Sequence, residues 1–160
     1  MVQNSITLVS FLHIPYDLQM KTRKWRNSEN VTKYFKIPSI SVEQHKKWLA
    51  SLHKEKPTSI AFMIYKGSQP IGVTYFHSID YDQKTADWGI YIYYQKERGL
   101  GIGKIVIEKC MEYAKETLKL SIVYLDVLCD NFRAIHLYEK VGFKQIQSDD
   151  LKFLRYHKSL

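Results

Sequence analysis

Arg98-Gly99-Leu100-Gly101-Ile102-Gly103 joins a strand-like run, Trp88-Gly89-Ile90-Tyr91-Ile92, to a helix-like run that begins at Lys104. This junction limits the folds open to the chain more than any other stretch. Three alternating glycines fall where the hydrophobic period changes from two to about 3.6, so the expected product is a tight turn leading straight into a helix. The first N–H groups of such a helix have no intrahelical partner and carry the positive end of its dipole. A turn of this kind holds phosphate largely by main chain, with Arg98 as a cation at its rim. The plain alternative is a glycine-rich connection that binds nothing. Two nucleotide fingerprints fail on the spacing. Counted from Gly99, the last glycine of G-x-G-x-x-G would have to stand at Lys104, and a Walker A loop would need glycine at Arg98 and Ser or Thr at Ile105.

Hydrophobic periodicity predicts a strand over Ile6–Leu12, a helix over Tyr16–Arg26 and a short helical piece over Val31–Phe35 before Pro38. Ser41-Val42-Glu43-Gln44 is a capping box that starts a helix carrying His45, Trp48, Leu49 and Leu52 on one face. Three strands follow, Ser59–Tyr65, Ile71–Ile79 and Lys84–Tyr93, joined by turns short enough for an antiparallel meander. A helix is expected from Gly103 to Leu118. The strand Ile122–Leu128, separated from its predecessor by that helix, should run parallel to it. The helix Asn131–Val141, ended by Gly142, and two closing strands, Phe143–Gln147 and Leu151–His157, complete an α/β (α+β) chain. The expected architecture is a mixed, mostly antiparallel sheet with helices on both faces.

With 160 residues and no linker or repeat, the chain is expected to be one domain. Its net charge of +8 favours anionic partners over cationic ones. The basic residues are scattered and form no nucleic-acid recognition motif, so a nucleotide-bearing cofactor and substrate account for the excess as well as nucleic acid does. Cys110 and Cys129 both read as buried, reduced thiols. Met1–Ser5 lacks the basic start and apolar core of a signal peptide, and no apolar run approaches membrane-spanning length. A cytoplasmic protein with no membrane partner is expected.

The pattern that remains at the glycine turn is R-x-x-G-x-G, read as Arg98, Gly101 and Gly103, and it resembles that of the GNAT N-acetyltransferase superfamily. A second run, Asn131-Phe132-Arg133-Ala134-Ile135-His136-Leu137-Tyr138-Glu139-Lys140-Val141-Gly142-Phe143, matches that family's N-x-x-A-x-x-x-Y-x-x-x-G-F at five positions. The resemblance implies a GNAT fold whose two central parallel strands splay apart to admit acetyl-CoA, with no metal. It implies that Arg98, Gly99, Gly101, Gly103 and Lys104 surround the pyrophosphate, and that the backbone of Ile90, Tyr91 and Ile92 pairs with the pantetheine arm. Asn131 would bond the pantetheine and Tyr138 would protonate the departing thiolate, a task that suits a phenol with an ordinary pKa near ~10. The alternative for Tyr138 is a packing tyrosine. Asp126 is a candidate base, in competition with water, and His136 is expected on the surface.

Trp25-Arg26-Asn27, Tyr34-Phe35-Lys36 and His45 with Trp48 resemble the PseH-type branch, which acetylates the 4-amino group of a UDP-linked amino sugar on the route to pseudaminic acid. Arg26 and Lys36 would then face the nucleotide diphosphate, with Asn27, His45, Trp48 and Trp88 around the acceptor, and a homodimer is compatible with this reading. Arg26 as a structural ion-pair partner is the alternative. Other classes are a GNAT acting on a protein N-terminus or a polyamine, and a basic nucleic-acid-binding module. A polyamine site needs clustered carboxylates, and no Asp/Glu-rich loop lies near the predicted cleft.

Overall fold

The computed structural model describes residues 5–160. Met1–Asn4, which entered the signal-peptide reading, lie outside the described residues. The chain order is β1 (Ile6–Ser10), α1 (Tyr16–Asn27), α2 (Glu29–Thr32), α3 (Val42–Ser51), β2 (Ile60–Lys66), β3 (Gln69–Asp80), β4 (Thr85–Ile92), α4 (Ile102–Glu116), β5 (Ile122–Leu128), α5 (Phe132–Lys140), β6 (Lys144–Ile146) and β7 (Phe153–Ser159). The strands form one seven-stranded sheet in the order β1-β2-β3-β4-β5-β7-β6. It is antiparallel except between β4 and β5, which run parallel as a crossover through α4 requires.

Each face of the sheet is covered. Trp25 of α1 and Leu49 of α3 pack with Ala61, Met63 and Val73 on one side. Val106, Ile107 and Cys110 of α4 and Tyr138 of α5 pack with Ile64, Trp88, Val123 and Leu125 on the other. The capping box forms as expected. Ser41 Oγ accepts from the Gln44 N–H at 3.0 Å while Gln44 Oε1 accepts from the Ser41 N–H at 2.8 Å, an arrangement worth about 1 kcal/mol.

Several boundaries move for local reasons. β1 stops at Ser10 because its hydroxyl accepts the Leu12 N–H and starts a 3-10 turn over Phe11–His13. The short second helix lies at Glu29–Thr32 rather than Val31–Phe35. Thr32 Oγ1 bonds the Pro38 carbonyl and draws the chain after it into a loop. β7 begins at Phe153, not Leu151, because the Asp150 carboxylate accepts the N–H groups of Lys152 and Phe153 in a turn. Cys110 is buried, but Cys129 is exposed, since it sits just past the end of β5. No helix among the described residues is long and apolar enough to cross a membrane.

The feature that positions a site is the β4–β5 junction. Its pairing covers only Thr85↔Ile122, Ala86↔Val123 and Asp87↔Tyr124. Beyond that point the two strands part, each still held on its far side, β4 by β3 and β5 by β7.

Candidate active site

A cavity of about 550 Å³ opens where β4 and β5 part, walled by Arg26, the loop after α2, α3, β3 and the separated strands. Of the expected cofactor residues, Ile90, Tyr91, Asn131 and Tyr138 line it, and Arg98, Gly99, Gly101, Gly103 and Lys104 do not.

Below the splay lies the start of α4. Gly101 is its N-cap, at φ +82° in the left-handed region, and no side chain caps the helix. A Cβ at Gly101 would meet nothing within 4 Å. The first N–H groups of a 15-residue helix are therefore left to a ligand, as a pyrophosphate requires. Gly99 is also left-handed, and the Arg133 guanidinium lies 3.3 Å from where its Cβ would be, so Arg133 brings a cation to this loop that sequence reasoning had not assigned. Lys104, in the first turn of the helix, is 4.0 Å from Glu108. Gly103 packs against Leu137, whose Cδ2 would lie 3.0 Å from a Cβ there. Arg98 serves differently from the expected rim cation. Its Nε donates to the Ile92 carbonyl at 2.9 Å and its Nη2 to the Asn30 carbonyl and Oδ1 at 3.2 and 2.9 Å, which ties the glycine loop to α2. The Ile92 carbonyl is thus taken and Ile92 does not line the cavity, whereas Ile90 and Tyr91 do, with Asp87, Trp88 and Gly89 before them on β4.

Tyr138 reaches the splay from α5. Its ring meets Trp88 edge-on at 6.1 Å, and its hydroxyl takes no partner among the described residues. Burial pushes its pKa upward, with Tyr75 adding to the shift, so it stays protonated. Trp88 is 3% exposed, a core residue at the base of the cavity whose indole N–H has no hydrogen-bond partner among the described residues. Asn131 lines the cavity while its Oδ1 accepts the Ala134 N–H at 3.4 Å, the N-cap of α5. His136 is exposed.

The cavity wall also carries a charge network assembled from distant segments. Arg155 of β7 grips Asp87 through Nη1 at 2.5 Å and Nη2 at 3.1 Å, and its Nη1 reaches Asp126 at 3.2 Å. The bond to Asp87 is the largest influence raising the Arg155 pKa. Lys36 crosses from the loop after α2 to Asp126 at 3.2 Å and Asp150 at 3.5 Å. Asp126 is therefore a carboxylate shared by two cations. Arg26 is buried and holds the loop together. Nη1 donates to Thr32 Oγ1 at 3.0 Å, Nη2 to the Ile37 carbonyl at 2.7 Å, and the guanidinium lies 3.9 Å from the centre of the Phe35 ring. This is the structural alternative for Arg26, with neutral acceptors in place of an ion pair. Asn27 does not line the cavity, because its amide is spent on both backbone groups of Ile40, each at 2.8 Å. His45 Nε2–H donates to the Gln19 carbonyl at 2.9 Å, and its ring lies against Trp48. Burial lowers its pKa and keeps it neutral. Among the lining residues that had escaped sequence reasoning are Asp87 of β4 and Tyr75 and His77 of β3, the last two because their alternation with buried Val73, Thr74 and Phe76 reads simply as strand.

Residues 11–144 match the acetyltransferase (GNAT) domain family. The chain is a GNAT acetyltransferase. It is 31% identical over 134 residues, 84% of its own length and 80% of the relative's, to acetyltransferase PseH of Campylobacter jejuni. In fold, the GNAT chain overlays the spermidine N-acetyltransferase of Vibrio cholerae, solved with CoA and spermine, at a TM-score of 0.83 and 21% identity over 96% and 95% of the two chains. It overlays Campylobacter jejuni PseH in complex with acetyl coenzyme A at 0.72 and 24% identity over 97% and 99%. The enzyme therefore uses acetyl-CoA, a thioester that supplies an activated acetyl group. Its uncapped α4 and open Gly101 fit the pyrophosphate of that cosubstrate.

Proposed function

We propose that this GNAT enzyme acetylates the 4-amino group of a UDP-linked 4-amino-4,6-dideoxy sugar, by direct attack of the amine on acetyl-CoA with Tyr138 as general acid. The observation that carries the acceptor class is the state of the carboxylates in the cavity. Asp87 and Asp126 line it, and both are bound to cations, Arg155 for the first and Arg155 with Lys36 for the second. A polyamine needs unpaired carboxylates to replace the water around its ammonium groups, and these are already neutralised. Tyr34, Phe35 and Trp48 instead line the wall with aromatic rings, and Lys36, shared between Asp126 and Asp150 with 46% of its side chain exposed, is the cation a diphosphate would draw away from them. The likeness to PseH over 84% of the chain supports the same reading.

In the reaction the amine attacks as the free base, and Tyr138 donates to sulfur as the C–S bond breaks. Asp126 is engaged by Lys36 and Arg155, and the nitrogen proton passes to water. UDP titrated into the CoA-loaded enzyme by calorimetry should bind and should compete with the acceptor, and Lys36→Ala should weaken it. Saturable spermidine binding at the same site with no UDP binding would contradict the proposal.

A further inference from the structure

Tyr75 stands on β3 directly opposite Gly89 of β4. Its ring lies across that glycine so closely that a Cβ at position 89 would fall 2.5 Å from the hydroxyl oxygen and 2.6 Å from Cζ. Gly89 is two residues beyond the last β4–β5 pair, Asp87↔Tyr124, so the phenol sits at the opening of the splay. The Gly89 carbonyl is held by Thr74 Oγ1 at 2.9 Å, which fixes the strand beneath the ring. Tyr91, the neighbouring tyrosine on the same face, gives its hydroxyl to the Thr22 carbonyl at 3.3 Å. The Tyr75 hydroxyl takes no partner among the described residues, although the residue lines the cavity wall. It also lies near enough to Tyr138 for the two phenols to influence each other. Tyr75 and Tyr138 thus line one cavity from β3 and α5.

We infer that the Tyr75 hydroxyl is a catalytic hydrogen-bond donor to the acyl oxygen of acetyl-CoA. The inference rests on the reading of Tyr138 as the acid that serves sulfur. If Tyr138 addresses sulfur, the carbonyl attached to that sulfur lies in the cavity whose wall Tyr75 forms beside Gly89. When the acceptor nitrogen bonds to the acyl carbon, the carbonyl electron pair moves to oxygen, where the Tyr75 O–H bonds the developing charge without giving up its proton. The pair returns to carbon as the C–S bond breaks and sulfur takes the Tyr138 proton. The surplus proton on nitrogen passes to water, and solvent restores Tyr138. Burial pushes the Tyr75 phenol up to about 12, so it remains a donor throughout the neutral range. A donor aimed at a developing oxyanion is typically worth about 10²-fold or more in kcat.

Infrared difference spectroscopy of acetyl-CoA labelled with ¹³C at the carbonyl, bound without any acceptor, tests this directly. In Tyr75→Phe, which keeps the ring over Gly89, the bound carbonyl stretch should move to higher frequency and kcat should fall about 10²-fold, with KM for acetyl-CoA unchanged. Tyr138→Phe should leave that stretch where it is. Should Tyr75→Phe fold poorly, Gly89→Ala, whose methyl would displace the hydroxyl, should move the stretch in the same direction. An unchanged stretch overturns the assignment whatever happens to kcat, and so does unchanged kcat. Because no acceptor is present, a wrong sugar reading leaves the spectrum unaffected. A wrong role for Tyr138 appears instead as full turnover in Tyr138→Phe.

Discussion

Tyr138→Phe is expected to bind acetyl-CoA as tightly as the parent protein and to release thiol about 10²–10³-fold more slowly, the usual range for loss of a general acid. The two quantities separate because the ring stays. Phenylalanine keeps the edge-on contact with Trp88 and the packing on Phe143 and removes only a hydroxyl that no other described residue uses. Burial holds that hydroxyl's pKa above its ordinary value. The proton is therefore retained until the C–S bond breaks and negative charge develops beside it, and the donor acts in the transition state more than in the ground state. Steady-state kinetics with a thiol-detecting reagent, set beside calorimetry of acetyl-CoA, reads both. Full turnover in the variant would remove Tyr138 as the acid and leave it a packing residue.

Gly101→Val is expected to weaken CoA binding by about 10- to 100-fold, corresponding to about 1–3 kcal/mol. Two effects add. Gly101 has φ +82°, a conformation that a β-branched residue adopts only under strain. The new side chain would also project into the space above the first turn of α4, where nothing of the protein lies within 4 Å of a Cβ. No protein atom is displaced, so the packing around the loop is kept, while the strained loop and the added side chain take from the ligand the surface that its phosphates need. Calorimetric titration of CoA gives the ratio. An unchanged Kd would show that the pyrophosphate lies elsewhere.

The order of strands and helices was legible because each change of hydrophobic period coincided with a chemical signal, the Ser41–Gln44 box for α3 and the glycine turn for α4. The splay was legible only by resemblance, since no local pattern tells β4 and β5 to stop pairing after Asp87 and Tyr124. Side-chain commitments were the least legible. Arg26 and Arg98 carry the charge expected of anion ligands, yet their partners are carbonyls of Ile37, Ile92 and Asn30 that sequence spacing does not bring near. Asp126 was named as a candidate base, but the cations that hold it and Asp87 were invisible for the same reason. Asp87, Asp126 and Asp150 lie on two strands and a loop and meet only through Arg155 and Lys36. An acidic-loop search therefore finds nothing, although carboxylates are present and neutralised. Tyr75 was hidden by the regular alternation of β3, and its position becomes meaningful only once Gly89 is seen beneath it.

The acceptor can be identified in a single experiment. The most direct measurement is a parallel assay with acetyl-CoA against a UDP-4-amino-4,6-dideoxy sugar, spermidine and an N-terminal peptide, following released thiol and the mass of each product. Acetylation of the UDP-sugar at its 4-amino group, with a kcat/KM far above the other two, is the predicted result. Acetylation of spermidine or the peptide with the UDP-sugar left unmodified would contradict it.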